Sequence, residues 1–294
     1  MTARLETADG KPVLRFERRL RHSPDRVWRA ISTPEGLAAW FPASVELELA
    51  PGAPMRFTFP DQAPVDGTSA GEVLEVDPPR VLAFRWNADV LRFELEPDGD
   101  GCVLRFSQTL DDRLSAGRNA YGWDVCLGAL AADLAGESFE QPTAWLEPME
   151  AYVREFGLDE GTLTGRRVHF ARDLVWRPAA DVWALLVEDA DPVVGGDPPT
   201  RALNHAAPAG PLTVVEPPHV LAYGPVRWEV SHDPEVGTRV DLTHDLPEDA
   251  DPVAALAAWH VHLELFFAAA LGDVRCPWPE DREEELRKHY GQLR

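Results

Sequence analysis

Three histidines in the second half of the chain, His232, His244 and His260, are of the residue type that transfers protons or binds metal ions near neutral pH. Period-two alternation places His232 and His244 on the apolar faces of two predicted strands, and helical spacing places His260 on the inward stripe of a long helix. Side chains that converge on one cavity would form a proton-transfer or metal site. The alternative is three separate, hydrogen-bonded histidines at a cavity rim, because no fixed metal-ligand spacing is present and His260 with Glu264 at i, i+4 is not an HExxH motif.

A nucleophile motif in the first half has the wrong context for catalysis. Gly67-Thr-Ser-Ala-Gly71 matches the GxSxG pattern, in which the serine sits on a turn between a strand and a helix. Here a proline-containing loop precedes the motif and strand-like Glu72–Val76 follows it, so Ser69 is not expected to be catalytic. The chain has no P-loop or dinucleotide fingerprint, and Asp98–Gly101 is too short for a calcium loop. We therefore predict no catalytic residue, no metal and no cofactor.

Aromatic side chains and one amide in the first half could line a cavity for a ligand. This set consists of Trp40, Phe41, Phe57, Phe59, Trp86, Phe93, Asn119 and Trp123. Ligand cavities are typically apolar with a few polar groups, and Asn119 would be the polar anchor on the inward face of a helix. The alternative is that these residues simply fill the core. The corresponding candidates in the second half are Trp228, His232, His244, Trp259 and His260.

The two halves of the chain resemble each other. Val76–Ala83 reads Val-Asp-Pro-Pro-Arg-Val-Leu-Ala, and Val215–Ala222 reads Val-Glu-Pro-Pro-His-Val-Leu-Ala. Further matches keep the same order: Phe16–Leu20 with Phe170–Leu174, Val27-Trp28 with Val182-Trp183, Gly101–Phe106 with Gly237–Leu242, and Trp123, Leu127 and Gly136 with Trp259, Leu263 and Gly272. Ordered matches over this length indicate duplication of a whole domain, and 294 residues suit two domains.

Local signals predict the elements that must position these side chains. A strand is expected at about Val13–Arg21, and Ser23-Pro24 and Thr33-Pro34 then open two short helices. Alternating strands follow, and a long amphipathic helix runs over about Ser115–Leu134 until Gly136 ends it. The antiparallel sheet has one apolar face, which the long helix must cover.

Four features resemble the SRPBCC/START-like (Bet v 1-like) superfamily, in the branch named after the activator of Hsp90 ATPase. They are Pro24-x-x-Val-Trp28, Pro34-Glu-Gly-Leu-x-x-Trp-Phe41, Asp77-Pro-Pro-Arg80 with Trp86, and Gly122-Trp-x-x-x-Leu127. The resemblance covers about Val13–Gly136 well, and Arg167–Gly272 less well, since the Thr-Pro-Glu helix is missing there and the front of the sheet looks shortened. It implies a cavity between a curled sheet and the long helix. Members bind lipids, hormones and polyketides, and some are cyclases or hydrolases.

The resemblance implies an α+β fold class, with two tandem helix-grip domains that each wrap a curved antiparallel sheet around a long C-terminal helix. The expected boundaries are 1–140 for the first domain, 141–163 for a linker with a helix, 164–275 for a degenerate second domain and 276–294 for a helical tail. The two-domain architecture and the composition are also similar to proteins of natural-product gene clusters, including self-resistance proteins against enediyne antibiotics.

Charge and cysteine content restrict the partners. A net charge of −22, from 50 acidic and 28 basic residues, argues against binding to nucleic acid or to an anionic membrane. The same charge could steer a cationic ligand, such as an amino sugar, toward the protein. The N-terminus has no apolar signal region, and no run is long enough to span a membrane. Three scattered cysteines, Cys102, Cys126 and Cys276, are typical of a reducing cytoplasm, with Cys126 as buried filler.

Three functions remain open at this point. The first is a non-catalytic protein that binds or sequesters a bulky apolar metabolite, which the aromatic set favours. The second is a cyclase or dehydratase acting on a polyketide-like substrate, which the three histidines favour. The third is a protein-interaction or co-chaperone module. The sequence gives no expectation for the oligomeric state.

Overall fold

The computed structural model describes residues 3–60, 67–174, 177–233 and 237–292. The chain forms two compact units, Met1–Phe156 and Gly157–Arg294. Each unit has its own antiparallel sheet and its own long helix. The α+β fold class of two tandem helix-grip domains is therefore confirmed.

The first unit contains an eight-stranded antiparallel sheet in the order β1-β2-β8-β7-β6-β5-β4-β3. Its strands are β1 (Arg4–Ala8), β2 (Lys11–Leu20), β3 (Ser44–Glu46), β4 (Pro54–Thr58), β5 (Thr68–Asp77), β6 (Val81–Trp86), β7 (Asp89–Asp98) and β8 (Gly101–Thr109). Its helices are α1 (Pro24–Ser32), α2 (Pro34–Leu37), α3 (Ala116–Ala135) and α4 (Leu146–Glu155).

The predicted helix boundaries follow from local capping. Pro24 and Pro34 each occupy the first helical position, where the missing N–H costs nothing. The Thr33 hydroxyl accepts the Gly36 N–H at 3.1 Å, which caps α2. Gly136 ends α3 at a φ of 74°, a left-handed conformation that glycine adopts without a Cβ penalty.

The pairing register places the apolar side chains of neighbouring strands on the same face of the sheet. In β7, the side chains of Leu91, Phe93 and Leu95 are buried, whereas the intervening residues are more exposed. Phe93 lies directly opposite Phe106 of β8. The hairpin between these strands closes with the pair Asp98 and Gly101. The buried face faces α3, whose inward residues complete the core.

The second unit repeats this plan with fewer strands, in the order β11-β12-β13-β14-β10-β9. Its strands are β9 (Thr162–Thr164), β10 (Arg167–Asp173), β11 (Leu212–Glu216), β12 (Val220–Tyr223), β13 (Val226–Asp233) and β14 (Gly237–Asp245). Its helices are α5 (Ala179–Val187), α6 (Pro252–Ala270) and α7 (Glu280–Gln292).

The shared topology explains the sequence repeat. In both units the first long strand pairs with the last one, β2 with β8 and β10 with β14. The two Pro-Pro segments form equivalent turns, between β5 and β6 and between β11 and β12. Within residues 177–233, the only helical turn between α5 and β11 is the 3₁₀ turn Thr200–Ala202, so the counterpart of α2 is missing there as expected.

Helix α6 is apolar on all sides because it lies in the middle of the second unit. Among the described helices it alone is long and apolar enough, by length and composition, to cross a membrane, with a mean hydropathy of 1.5, whereas the sequence analysis expected no such run. About three fifths of that stretch (61%) is buried inside the protein, as in a core helix.

Candidate functional site

An aromatic cluster occupies the space between the sheet and α3 in the first unit. It draws rings from the segment after α2, from β4, β6, β7 and β8, and from α3. Its members are Trp40, Phe41, Phe57, Phe59, Phe84, Trp86, Phe93, Phe106 and Trp123. Ring centroids lie 4.7 Å apart for Phe57 and Trp86 and 4.6 Å apart for Phe93 and Phe106. Offset rings at these separations attract each other beyond the area they bury.

The cluster has a closed end and an open end. Phe57 is fully buried, and Phe93 and Phe106 are 1% exposed. In contrast, Trp86 and Phe59, whose centroids are 5.7 Å apart, are only partly buried. These two rings therefore form the accessible side of the cluster.

The structure brings the seven predicted aromatic residues of the first half into this one cluster, with Phe84 and Phe106 in addition. Trp40 is held in place because its indole N–H donates to the Ala30 carbonyl at 3.0 Å. Phe41 lies at the centre, with its ring 5.3 Å from Trp86 and 5.7 Å from Trp123. The residue types and their periodicity were sufficient to find this group.

A buried polar network adjoins the aromatic cluster. The Trp123 indole N–H donates to Oε1 of Gln108 at 2.7 Å, and Nε2 of Gln108 donates to Oδ2 of Asp89 at 2.7 Å. The other Asp89 oxygen accepts the backbone N–H of Asp111 at 2.9 Å. Gln108 is 3% exposed. The hydrogen bonds run in one direction, from the indole to the carboxylate.

Asn119 plays a smaller part than the sequence suggested. Its side-chain Nδ2 donates to the Ser115 carbonyl one turn earlier in α3, at 3.0 Å, and its Oδ1 receives only a 3.5 Å contact from Gln108. The polar centre is instead Gln108 with Asp89, which the sequence analysis missed. A signal was present, since Gln108 occupies an inward position between Phe106 and Leu110 in the alternating pattern of β8.

Asp89 is the residue of this site whose carboxyl has a shifted pKa. Burial raises the pKa of its carboxyl, and the hydrogen bonds from the Asp111 N–H and Gln108, together with the nearby Arg118, oppose that shift. A carboxyl with a raised pKa in an apolar setting can accept a hydrogen bond from a ligand or exchange a proton with it.

Ser69 has a positioning role and no nucleophile geometry. It lies within β5 opposite Phe57, and no helix follows the motif. Its hydroxyl accepts the Trp86 indole N–H at 2.8 Å, which orients that ring.

Cys126 is also unsuited to catalysis. Burial raises the pKa of its thiol to about 12, so almost no thiolate exists near neutral pH. It therefore serves as a small apolar side chain of α3.

The histidines of the second unit do not converge. His232 is exposed at the end of β13, where its Nδ1 lies 3.0 Å from the Thr238 hydroxyl. His244 pairs with Val226, six positions earlier in β13, so the two histidines are separated by about 20 Å along the sheet. Alternation predicted the correct face of the sheet for His232 and His244, but it does not predict their positions along the strands. Separate, hydrogen-bonded histidines are what the structure contains.

His244 and the tryptophans are parts of the second core. His244, Trp228 and Trp259 are each 0% exposed. The Trp259 indole N–H donates to Nδ1 of His244 at 3.0 Å, and that of Trp228 donates to the Ala202 carbonyl at 3.3 Å. Both indole N–H groups and Nδ1 of His244 have protein partners, whereas Nε2 of His244 is buried without a hydrogen-bond partner among the described residues.

His260 lies on another side of α6. Its Nδ1 is 2.8 Å from the Tyr290 hydroxyl of α7, and its Nε2 faces Asp159 and Glu264. This group is distinct from the Trp259–His244 pair.

The second unit also has a surface groove of about 490 Å³. Its lining consists of His205, Trp278, Glu280, Glu283, Glu284 and Arg287. Glu283 accepts the Trp278 indole N–H at 2.9 Å and pairs with Arg287 at 2.8 Å. The mostly charged lining does not suit a bulky apolar ligand.

The helix-grip fold, with the aromatic cluster between sheet and helix, defines the first unit as a START-like domain. Comparison with protein families agrees. Residues 21–135 match the family described as Activator of Hsp90 ATPase homolog 1-like protein. A comparison with curated proteins gave no match.

A comparison with solved structures found similar chains. A conserved protein of unknown function from Enterococcus faecalis, EF2215, is 20% identical, with 53% of this chain and 90% of that chain covered and a TM-score of 0.44. CalU16 from Micromonospora echinospora is 20% identical, with coverage of 53% and 91% and a TM-score of 0.40. Protein MLL2253 from Mesorhizobium loti is 26% identical, with coverage of 42% and 96% and a TM-score of 0.38.

Proposed function

We propose that the first domain binds a bulky apolar small molecule, of the polyketide-like or related secondary-metabolite class, and sequesters it without turnover. The observation that supports this most strongly is the aromatic cluster between sheet and helix, with a buried polar network beside it. Such a combination of apolar walls and few polar groups is characteristic of small-molecule sites. Antibiotic self-resistance is the biological role that the two-domain architecture suggests within this proposal.

The open end of the cluster indicates how a ligand is held. Trp86 and Phe59 offer partly accessible faces on which a planar apolar group can stack. A ligand that displaces rings in the interior reaches Gln108 and Asp89. Since an ionised carboxylate only accepts hydrogen bonds, the matching polar group on the ligand is a donor, such as a hydroxyl or an amine. An amine would also be attracted by the net charge of −22.

A second candidate function is a cyclase or dehydratase with Asp89 as its acid or base. The raised pKa of this carboxyl is the specific observation that favours it. The three histidines no longer support it, because they contact separate partners. We rank binding without turnover first, since within residues 67–174 Asp89 already has hydrogen-bond partners on both carboxylate oxygens.

We further propose that the second unit is a structural partner without a cavity of its own. The rings of its core, Trp228, Trp259 and Phe266, are at most 2% exposed, whereas Trp86 and Phe59 of the first unit are partly accessible. The same proposal places the protein in the cytoplasm, where the described cysteines stay unpaired. It includes neither nucleic acid nor a membrane as a partner.

The test is native mass spectrometry of the full-length protein purified from its own host, with identification of the extracted compounds. We expect one aromatic or polyketide-like molecule per chain, released unchanged on denaturation. A released compound that is a chemical product of an added precursor would support the enzyme instead. An empty protein that also fails to bind a panel of apolar metabolites would contradict both and favour a protein-interaction module.

A further inference from the structure

A buried cluster in the second unit combines two carboxylates and an imidazole. His260 and Glu264 lie one turn apart on α6, and Asp159 belongs to the segment before β9. The side chains of Asp159 and His260 are each 4% exposed, and that of Glu264 is 20% exposed. The sequence analysis noted the i, i+4 pair but could not detect the third member, which is about a hundred positions away.

The three side chains point at one another without hydrogen-bonding through the imidazole. Nε2 of His260 lies 3.3 Å from Oδ2 of Asp159 and 3.4 Å from Oε1 of Glu264. One ligand atom of each residue lies within 4.8 Å of the others. Nε2 is buried and has no hydrogen-bond partner within the described residues. A buried polar atom that stays unpaired costs free energy, so an unseen partner between the three groups would stabilise it.

The two distances from Nε2 of His260 fit a tetrahedral metal ion. Zinc bonds to histidine nitrogen and carboxylate oxygen are about 2.0–2.2 Å long. At a tetrahedral angle of about 109°, two such ligand atoms are separated by about 3.3–3.5 Å. Both separations from Nε2 have this value, which is longer than an ordinary N–H···O hydrogen bond of about 2.9 Å.

Neighbouring groups orient these ligands. Nδ1 of His260 lies 2.8 Å from the Tyr290 hydroxyl, which also accepts the Gly161 N–H at 2.8 Å. Arg282 of α7 donates to Oε1 of Glu264 at 2.8 Å. Outer contacts of this type fix the ring orientation of a metal-binding histidine and the direction of a metal-binding carboxylate.

Positive charge nearby opposes ion binding. Arg282 donates to Glu264, and the positive charge of Arg172 acts on Asp159. A divalent ion therefore has to compete with these guanidinium groups for the two carboxylates. The three ligand atoms are already close together, which lowers the free-energy cost of assembling the site. The affinity for the ion depends on how large this effect is.

We propose that Asp159, His260 and Glu264 bind one divalent transition-metal ion of the zinc class. The ion would have a structural role, because it would join α6 to the segment before β9. Through Tyr290 and Arg282, α7 would be fixed to the same point. The competing arrangement is a metal-free imidazolium between the two carboxylates. This proposal does not depend on ligand binding by the first domain.

The test uses the full-length chain, dialysed against a chelator and titrated calorimetrically with Zn²⁺. We expect one ion per chain, and an increase in the unfolding temperature when Zn²⁺ is added. Co²⁺ in place of Zn²⁺ should give the visible absorption of a four-coordinate site. The variants Asp159→Asn and His260→Ala should weaken the affinity by about 100-fold, and Tyr290→Phe by about 10-fold.

The matched control is His169→Ala, which removes another histidine–carboxylate pair of this unit, with Asp241 at 2.9 Å. It should leave Zn²⁺ binding unchanged. Circular dichroism checks the folding of each variant, and the Co²⁺ spectrum of the unaltered protein needs no variant. The proposal is overturned if the unaltered protein binds no ion at about 100 μM, or if His260→Ala binds Zn²⁺ as tightly as the unaltered protein. Nitrogen NMR showing protons on both ring nitrogens in the presence of Zn²⁺ would establish the imidazolium instead.

Discussion

The indole N–H of Trp123 on α3 donates a 2.7 Å hydrogen bond to Oε1 of Gln108 on β8. This contact distinguishes the amide oxygen of Gln108 from the amide nitrogen, because only Oε1 can accept a hydrogen bond from the indole. The Nε2 end must then point to Asp89, where it donates at 2.7 Å. This one hydrogen bond between α3 and β8 therefore determines which groups of the candidate binding site donate hydrogen bonds and which accept them.

Replacing Gln108 with leucine should destabilise the first domain. The change leaves the buried Trp123 N–H without its acceptor and removes one donor from Asp89, and each unsatisfied buried group costs about 1–3 kcal/mol. We expect a loss of about 2 kcal/mol or more in the free energy of unfolding, measured by denaturant titration. The control is Ser107→Ala on the opposite face of β8, which should change it by less than about 0.5 kcal/mol. Equal stability of the two variants would contradict the network.

The sequence predicted the parts of this site that depend on local rules. Helix starts at Pro24 and Pro34 and the end at Gly136 follow from capping, which involves only a few neighbouring residues. The aromatic cluster follows from alternation, since Phe57 and Phe93 occupy inward strand positions.

The missed residues depend on pairings that periodicity does not specify. Asp89 reaches Gln108 only because β7 and β8 pair in one particular register. Asp159 meets His260 only once the second unit has folded. The second-unit histidines show the same limit, because alternation assigns a face and leaves the position along the strand open.

Gly71, the last residue of the GxSxG motif, should be needed for strand packing. A Cβ at this position would lie 2.3 Å from the Arg85 carbonyl oxygen and 2.7 Å from the Phe57 ring. Gly71→Ala therefore forces β5 away from β6 and should cost about 1–3 kcal/mol. Gly67→Ala is the matched control, since a Cβ at Gly67 has no atom within 4 Å among the described residues. Thermal unfolding of both variants measures the difference, and a Gly71→Ala protein as stable as the control would rule out this packing.

The second unit should lose stability as the pH falls below about 6.5, in part through His244. Burial lowers the pKa of this imidazole from the ordinary value of 6.5, so the folded protein keeps it neutral. The unfolded chain binds a proton there first, and unfolding is therefore favoured as the pH drops from about 7.5 to about 5. Above the ordinary pKa this contribution to stability is fully present.

The variant His244→Asn isolates that contribution. Its Oδ1 can still accept the Trp259 N–H, but the side chain does not titrate. We expect a shallower fall in unfolding free energy between about pH 7.5 and about pH 5 than in the unaltered protein, whereas carboxylates remote from position 244 contribute equally to both. Parallel pH curves for the two proteins would show that His244 is not neutral in the fold.

Trp86 should carry much of the affinity for an apolar ligand, because it is the large aromatic ring at the accessible end of the cluster. Trp86→Ala removes a stacking surface shared with Phe57 and Phe59 and should weaken binding of Nile red, a neutral apolar probe, by about 10-fold. The matched control is Trp145→Ala, which removes another partly exposed tryptophan of the same unit, 4.8 Å from Tyr121 and outside the cluster. Fluorescence titration of the full-length variants measures both affinities. Equal losses in the two variants would mean that the probe binds the surface, and the proposed site would have to be abandoned.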